Sequence, residues 1–179
     1  MADSSVWVKA GAAAAGAAAL GFFLGKKAAS KGPASFVENI TAAKAKIEVV
    51  SPEDAKTYIS TKKPLIIDVR DSGDSADAIK GAVNIPLSNL FFAADQGFAL
   101  PADVAVKGEV KVPKGTKFVH EKLAGSKDQP ILVSCGLGGQ AVIAAGVLAD
   151  YGFTQVKAVD GGNMAWMNAS GEVCDCLKQ

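Results

Sequence analysis

The chain has 179 residues, 49% of them hydrophobic, and a formal net charge of +1. That length accommodates one compact domain with a sizeable core plus an appendage. Near-neutral charge, with no Lys/Arg stripe interleaved with aromatics, argues against a nucleic-acid binder. The three cysteines, Cys135, Cys174 and Cys176, form no even, spaced disulfide framework and suit a reducing compartment or thiols kept for chemistry.

Ala10 to Gly25 is uncharged: Ala and Gly, with Leu20, Phe22, Phe23 and Leu24. As a helix it spans ~24 Å, short of the ~30 Å hydrocarbon core. Val6, Trp7 and Val8 close the difference if Lys9 snorkels and Trp7 sits at the interface. The acidic Met-Ala-Asp-Ser-Ser start, and Lys26 and Lys27 directly behind the run, argue against a cleaved signal peptide. Gly11, Ala15, Ala18, Gly21 and Gly25 present small residues at helical spacing, which lets another helix approach closely. The expectation for residues 1–27 is a single-pass transmembrane helix in the lipid bilayer, packed through its Ala/Gly face against a membrane protein complex. Lys26, Lys27 and Lys31 put the rest of the chain on the positive-inside face. A cleaved targeting segment and a soluble Ala-rich helix compete with this reading. A short anchor followed by lysines suits a mitochondrial membrane, with a thylakoid or bacterial inner membrane as alternatives.

Residues 28–46 read as a linker with a short helix and a break at Gly32-Pro33, and 47–179 as the folded domain. Ile47 to Val50 is a short strand, and Ser51 caps a helix that has Pro52 at its first position. Leu65 to Val69 is an unbroken apolar run, as in a parallel strand covered on both faces. Ser75 to Lys80 reads as a short helix and Ala82 to Ile85 as a strand. Phe91, Phe92 and Phe98 suggest a packed helix or loop, and Val110 to Val119 a turn-rich excursion or hairpin. Ile131 to Ser134 is a buried strand and Gln140 to Tyr151 a helix stopped by Gly152. Val156 to Val159 is a strand, and Gly161-Gly162 opens a last helix through Met167. Strands alternating with helices make an α/β domain with a mainly parallel central sheet flanked by helices.

In Ser134-Cys135-Gly136-Leu137-Gly138-Gly139-Gln140 a thiol leaves a buried strand and the next turn starts a helix. The glycines let successive backbone N–H groups converge as an anion-binding nest, and the helix N-terminus adds partial positive charge. Both favour a thiolate at Cys135. A nucleophilic cysteine in an amide cradle can take a sulfane sulfur and hold it as a persulfide.

Pro130 to Gly138 resembles the active-site strand and loop of rhodanese-like domains, and Ala144 to Gly152 the helix that follows. Val159-Asp160-Gly161-Gly162-x-x-Ala165-Trp166, with Gly171 beyond, resembles the family's closing element. Ile67-Asp68-Val69-Arg70 resembles its Asp-Val-Arg strand end, and Ile79 to Pro86 its Ile-x-Gly-Ala-x-Asn-Ile-Pro turn. The resemblance covers roughly residues 47–171. It implies a rhodanese-like fold with Cys135 as the catalytic residue. Gly136, Leu137, Gly138, Gly139 and Gln140 would form the donor-binding loop, with Asp68 and Arg70 as a pocket wall and no cofactor or metal. Active members usually carry Arg after the cysteine and at the loop's sixth position, where this chain has Gly136 and Gln140. The usual His before Ile79 is Ala78. The expectation is therefore a non-catalytic or weakly active accessory subunit of a membrane complex. The alternative is a sulfurtransferase that passes sulfane sulfur from a donor to a thiol acceptor through Cys135.

Gly136-x-Gly138-x-x-Ala141, with Asp160 after the next strand, also fits a dinucleotide fingerprint, but too little chain follows for further βα units. A cysteine phosphatase needs Arg where Ala141 stands. Cys174 and Cys176, without a nearby His, make a poor metal site. His120 reads as a surface or hydrogen-bond-satisfied residue, Arg70 as an ion-pair partner of Asp68 or Asp74, and Trp166 and Met164 as core.

Overall fold

The computed structural model describes residues 35–71 and 76–174. Residues 97–118 separate as a compact unit from 35–96 and 119–174. Among the described residues no helix is long and apolar enough to cross a membrane, and the anchor expected over 1–27 lies outside them.

The larger unit is an α/β domain in three layers. Its sheet contains β1 (Glu48–Val50), β2 (Leu65–Asp68), β4 (Val83–Asn84), β7 (Ile131–Ser134) and β8 (Val156–Val159), in the order β1-β8-β7-β2-β4. Every pairing in it is parallel. Strand alternation sorts the apolar side chains onto two faces. Ile67, Ile131, Val133 and Ala158 point to one core, whereas Ile66, Leu132 and Val159 point to the other with Val50, Ala55 and Trp166. Both faces are covered, which is why β2 and β7 read as continuous apolar runs.

The first two helices begin where a serine provides a side-chain cap. In α1 (Phe36–Lys44) the Ser35 hydroxyl accepts from the Glu38 N–H at 3.2 Å, and the Ser35 N–H donates to Glu38 at 3.0 Å, forming a capping box. Ser51 caps α2 (Pro52–Lys62) through the Asp54 N–H. Helix α3 (Leu87–Ala93) buries Leu90 and Ala93 and leaves Phe91 and Phe92 about half exposed, so the packed face is not the phenylalanine pair. Helix α4 (Gly139–Asp150) is followed by Gly152 at φ +89°, the left-handed stop.

Helix α1 packs on α4 through two glycines seven residues apart. A Cβ at Gly146 would lie 2.8 Å from that of Ala43, and one at Gly139 would lie 2.8 Å from the Phe36 ring. Gly146→Leu must therefore lift α1. We expect faster hydrogen exchange across 36–44 and a stability loss of about 1–3 kcal/mol in urea denaturation.

Two elements differ from the sequence reading. The segment read as a helix from Ser75 to Lys80 instead contains β3 (Ala78–Ile79), antiparallel to β9 (Val173–Cys174). Asp77 at φ +58° and Gly81 at φ +84° break helical continuity, and burial of Ala78 and Ile79 fixes an extended pairing across a long sequence separation. Met164 is 51% exposed: on the short α5 (Gly162–Asn168) only Gly162, Asn163 and Trp166 turn inward.

In the smaller unit β5 (Val104–Val106) and β6 (Glu109–Val112) form a hairpin that starts earlier than the sequence suggests. Its two-residue turn, Lys107-Gly108, has positive φ at both positions, as the right-handed strand twist prefers. Asp103 accepts from the Lys114 N–H, and the Phe98 and Phe118 rings lie 6.2 Å apart.

Candidate functional site

Ligands of open parallel sheets bind beyond the carboxyl ends of the strands. Here Cys135 follows β7, Arg70 follows β2 by two residues, and Asp160 follows β8. All three line one cleft of 690 Å³ with Gly136, Leu137, Gly138, Gly139 and Gln140. The loop residues and Arg70 predicted from sequence are thus brought together, while Asp68 lies behind Arg70, fully buried.

Cys135 is 2% exposed, at the floor of the cleft. Its sulfur accepts from the Gly138 N–H at 3.1 Å and the Ala141 N–H at 3.4 Å. These donors and the start of α4 stabilise negative charge on sulfur. The nest requires Gly138 at φ +91°, where a Cβ would also meet the Gly161 N at 2.9 Å. The loop is clamped from behind: the Asn163 N–H donates to the Cys135 carbonyl at 2.7 Å and the Met164 N–H to that of Gly136 at 3.2 Å. This clamp is the structural role of the Gly161-Gly162 turn.

Beneath the loop runs a buried polar network. Arg70 Nε donates to both Asp68 carboxylate oxygens at 3.0 Å, and Nη2 donates to Oδ2 at 2.7 Å. Its Nη1 donates to the Ala76 carbonyl, and Asn84 Nδ2 donates to the Asp68 and Arg70 carbonyls. Asn163 Nδ2 donates to Asp68 at 2.9 Å, and the Ser134 hydroxyl donates to the Asn163 amide oxygen. Arg70 thus pairs with Asp68 and also lines the cleft, so the two roles weighed from sequence coexist. His120 is satisfied: its Nδ1 accepts from the Lys122 N–H and caps the 3₁₀ turn Glu121–Leu123.

Sequence reasoning missed Phe36, Ile40 and Lys44 of α1, which form a wall of the cleft with Val142. A signal was present: Ser35-x-x-Glu38 is a capping-box pattern, and Phe36, Ile40 and Ala43 share one helical face. It also missed Asn163, whose place in the network had no local sign.

A cysteine-centred loop at the carboxyl edge of a two-faced parallel sheet defines an α/β domain of the rhodanese type. Residues 51–169 match the family model described as Rhodanese-like domain, and the chain belongs to that family. No curated protein matches. Among solved structures, a Rhodopseudomonas palustris protein of unknown function, described as a possible tyrosine phosphatase, is 19% identical with a TM-score of 0.60, over 78% of this chain and 94% of that one. The rhodanese-like domain of an Anabaena sp. protein is 21% identical with a TM-score of 0.50, over 70% of this chain and 76% of that one. The human single-domain sulfurtransferase is 20% identical with a TM-score of 0.48, over 67% of this chain and 95% of that one. At these identities the likeness is one of fold. At the arginine position of a Cys-x5-Arg phosphatase loop this chain has Ala141, which contributes only a backbone N–H to Cys135.

Proposed function

We propose that this chain carries sulfane sulfur as a persulfide on Cys135, passing it from a donor to a thiol acceptor. The observation that carries the reading is the Cys135 sulfur at the cleft floor with two backbone N–H groups aimed at it. The Cys135 thiolate attacks the donor's outer sulfur. The new S–S bond forms as the donor's bond to that sulfur breaks, and its electron pair leaves with the donor remnant. An acceptor thiolate then attacks the outer sulfur and returns Cys135 as thiolate. The two amides stabilise the negative charge that Cys135 Sγ carries before attack and regains when the outer sulfur is passed on.

Full-length protein incubated with thiosulfate, 3-mercaptopyruvate or benzenethiosulfonate should gain one sulfur atom by intact mass, and Cys135→Ser should not. No Cys135-dependent gain with any donor would sink the proposal. The outcome would then favour a second reading, a non-catalytic accessory module, which rests on Gly136 and Gln140 standing where active members carry arginine.

We also propose that residues 1–27 anchor the domain in a membrane and pack against a membrane protein complex, with a mitochondrial membrane preferred. The support is the uncharged Ala10–Gly25 run followed by Lys26 and Lys27. The protein should stay in the pellet on alkaline carbonate extraction; release into the supernatant would refute a spanning helix.

A further inference from the structure

The cleft wall contributed by α1 lies outside residues 51–169, which match the family model, so the segment that precedes the matched region supplies one side of the site in this chain. It makes the cleft apolar on one side: Phe36, Ile40, Val142 and Leu137 line it, with Phe36 56% and Leu137 74% exposed. The charged groups that line the cleft are electrostatically balanced. Arg70 gives its charge to Asp68 through Nε and Nη2, and Lys44 shares the cleft with the exposed carboxylate of Asp160. A dianion such as thiosulfate, which must depart as dianionic sulfite, finds no net positive charge here beyond the amide nest. A donor that spreads less charge and adds an apolar arm finds a ready surface, because covering Phe36, Ile40 and Leu137 removes apolar area from water.

We infer that Phe36 and Ile40 determine donor specificity, selecting an organic sulfane-sulfur donor with an apolar substituent over inorganic thiosulfate. The inference rests on the persulfide reading of Cys135. For an aryl thiosulfonate the step balances without an added oxidant. The Cys135 thiolate bonds to the terminal sulfur, the sulfur–sulfonyl bond breaks, and the electron pair leaves on a monoanionic sulfinate. Cys135 is left as the persulfide anion.

The test measures Cys135 persulfide formation in the full-length protein with benzenethiosulfonate, methanethiosulfonate and thiosulfate. The two thiosulfonates share charge and reacting group and differ in the apolar arm. In the wild-type protein kcat/KM should be at least about tenfold higher for the aryl donor than for the methyl donor, and higher still than for thiosulfate. In Phe36→Ala/Ile40→Ala the aryl-to-methyl ratio should fall by about tenfold, which separates cleft binding from the aryl donor's intrinsic reactivity. Val37→Ala, on the outer face of the same helix, should keep the wild-type ratio. Helical circular dichroism and the unfolding midpoint report whether the double variant remains folded. If it does not, Gly146→Leu, which lifts α1 without altering either side chain, must lower the ratio instead. Thiosulfate used as efficiently as the aryl donor, or a ratio that neither variant lowers, overturns the specificity inference while leaving the persulfide reading intact. Failure of all three donors to load Cys135 removes the persulfide reading itself.

Discussion

Gly162→Ala is expected to destabilise the domain by about 2–5 kcal/mol and to abolish sulfur loading at Cys135. Gly162 has φ +61°, a left-handed conformation that costs a residue with a Cβ about 1–2 kcal/mol. The added Cβ would also run into the Cys135 carbonyl oxygen and would lie 2.7 Å from the Gly138 N and 2.9 Å from the Gly136 carbonyl carbon. All three are backbone atoms of the loop and cannot rotate away. Relief requires the loop to move, and that breaks the Asn163-to-Cys135 and Met164-to-Gly136 hydrogen bonds. Urea denaturation and persulfide mass analysis on the same preparation check both effects. Wild-type loading in Gly162→Ala would show that the clamp does not position the thiol.

Removing the carboxylate of Asp68 should be as costly. Asp68→Ala leaves the Arg70 guanidinium, 14% exposed, without its bidentate partner, and it deprives Asn163 Nδ2 and the Arg70 N–H of their acceptors. Breaking one side of a buried pair costs about 3–5 kcal/mol, because the orphaned charge keeps its desolvation penalty. Asp68→Ala/Arg70→Met should recover much of that loss, since both charges then leave together. A double-mutant cycle on unfolding free energy measures the coupling. A cycle without coupling would mean that Arg70 finds solvent instead and that the network does not hold the strand end.

These two sites differ in how far they could be read beforehand. Gly161-Gly162 was legible as the start of the last helix, and Arg70 as the ion-pair partner of a nearby carboxylate, with the choice between Asp68 and Asp74 left to the structure. What Gly162 touches could not be read locally. Its neighbours, Cys135, Gly136 and Gly138, are more than twenty residues away and meet it only because β7 and β8 lie side by side. The Ser75–Lys80 misreading has the same origin. A short segment with two alanines, which favour a helix locally, instead contains β3 because β9, nearly a hundred residues on, pairs with Ala78 and Ile79.

By itself the sequence determined the alternation of strands and helices, the cap at Ser51, the stop at Gly152, and a glycine-rich turn that presents Cys135 before a helix. These follow from backbone conformation and side-chain periodicity, which neighbouring residues dictate. Only the tertiary structure decided that α1 docks against Gly139 and Gly146 to wall the cleft, that Asn163 ties Ser134 to Asp68, and that Arg70 reaches the cleft with its charge already matched. Those outcomes depend on close approach between elements distant in the chain, where steric fit and charge pairing act through space.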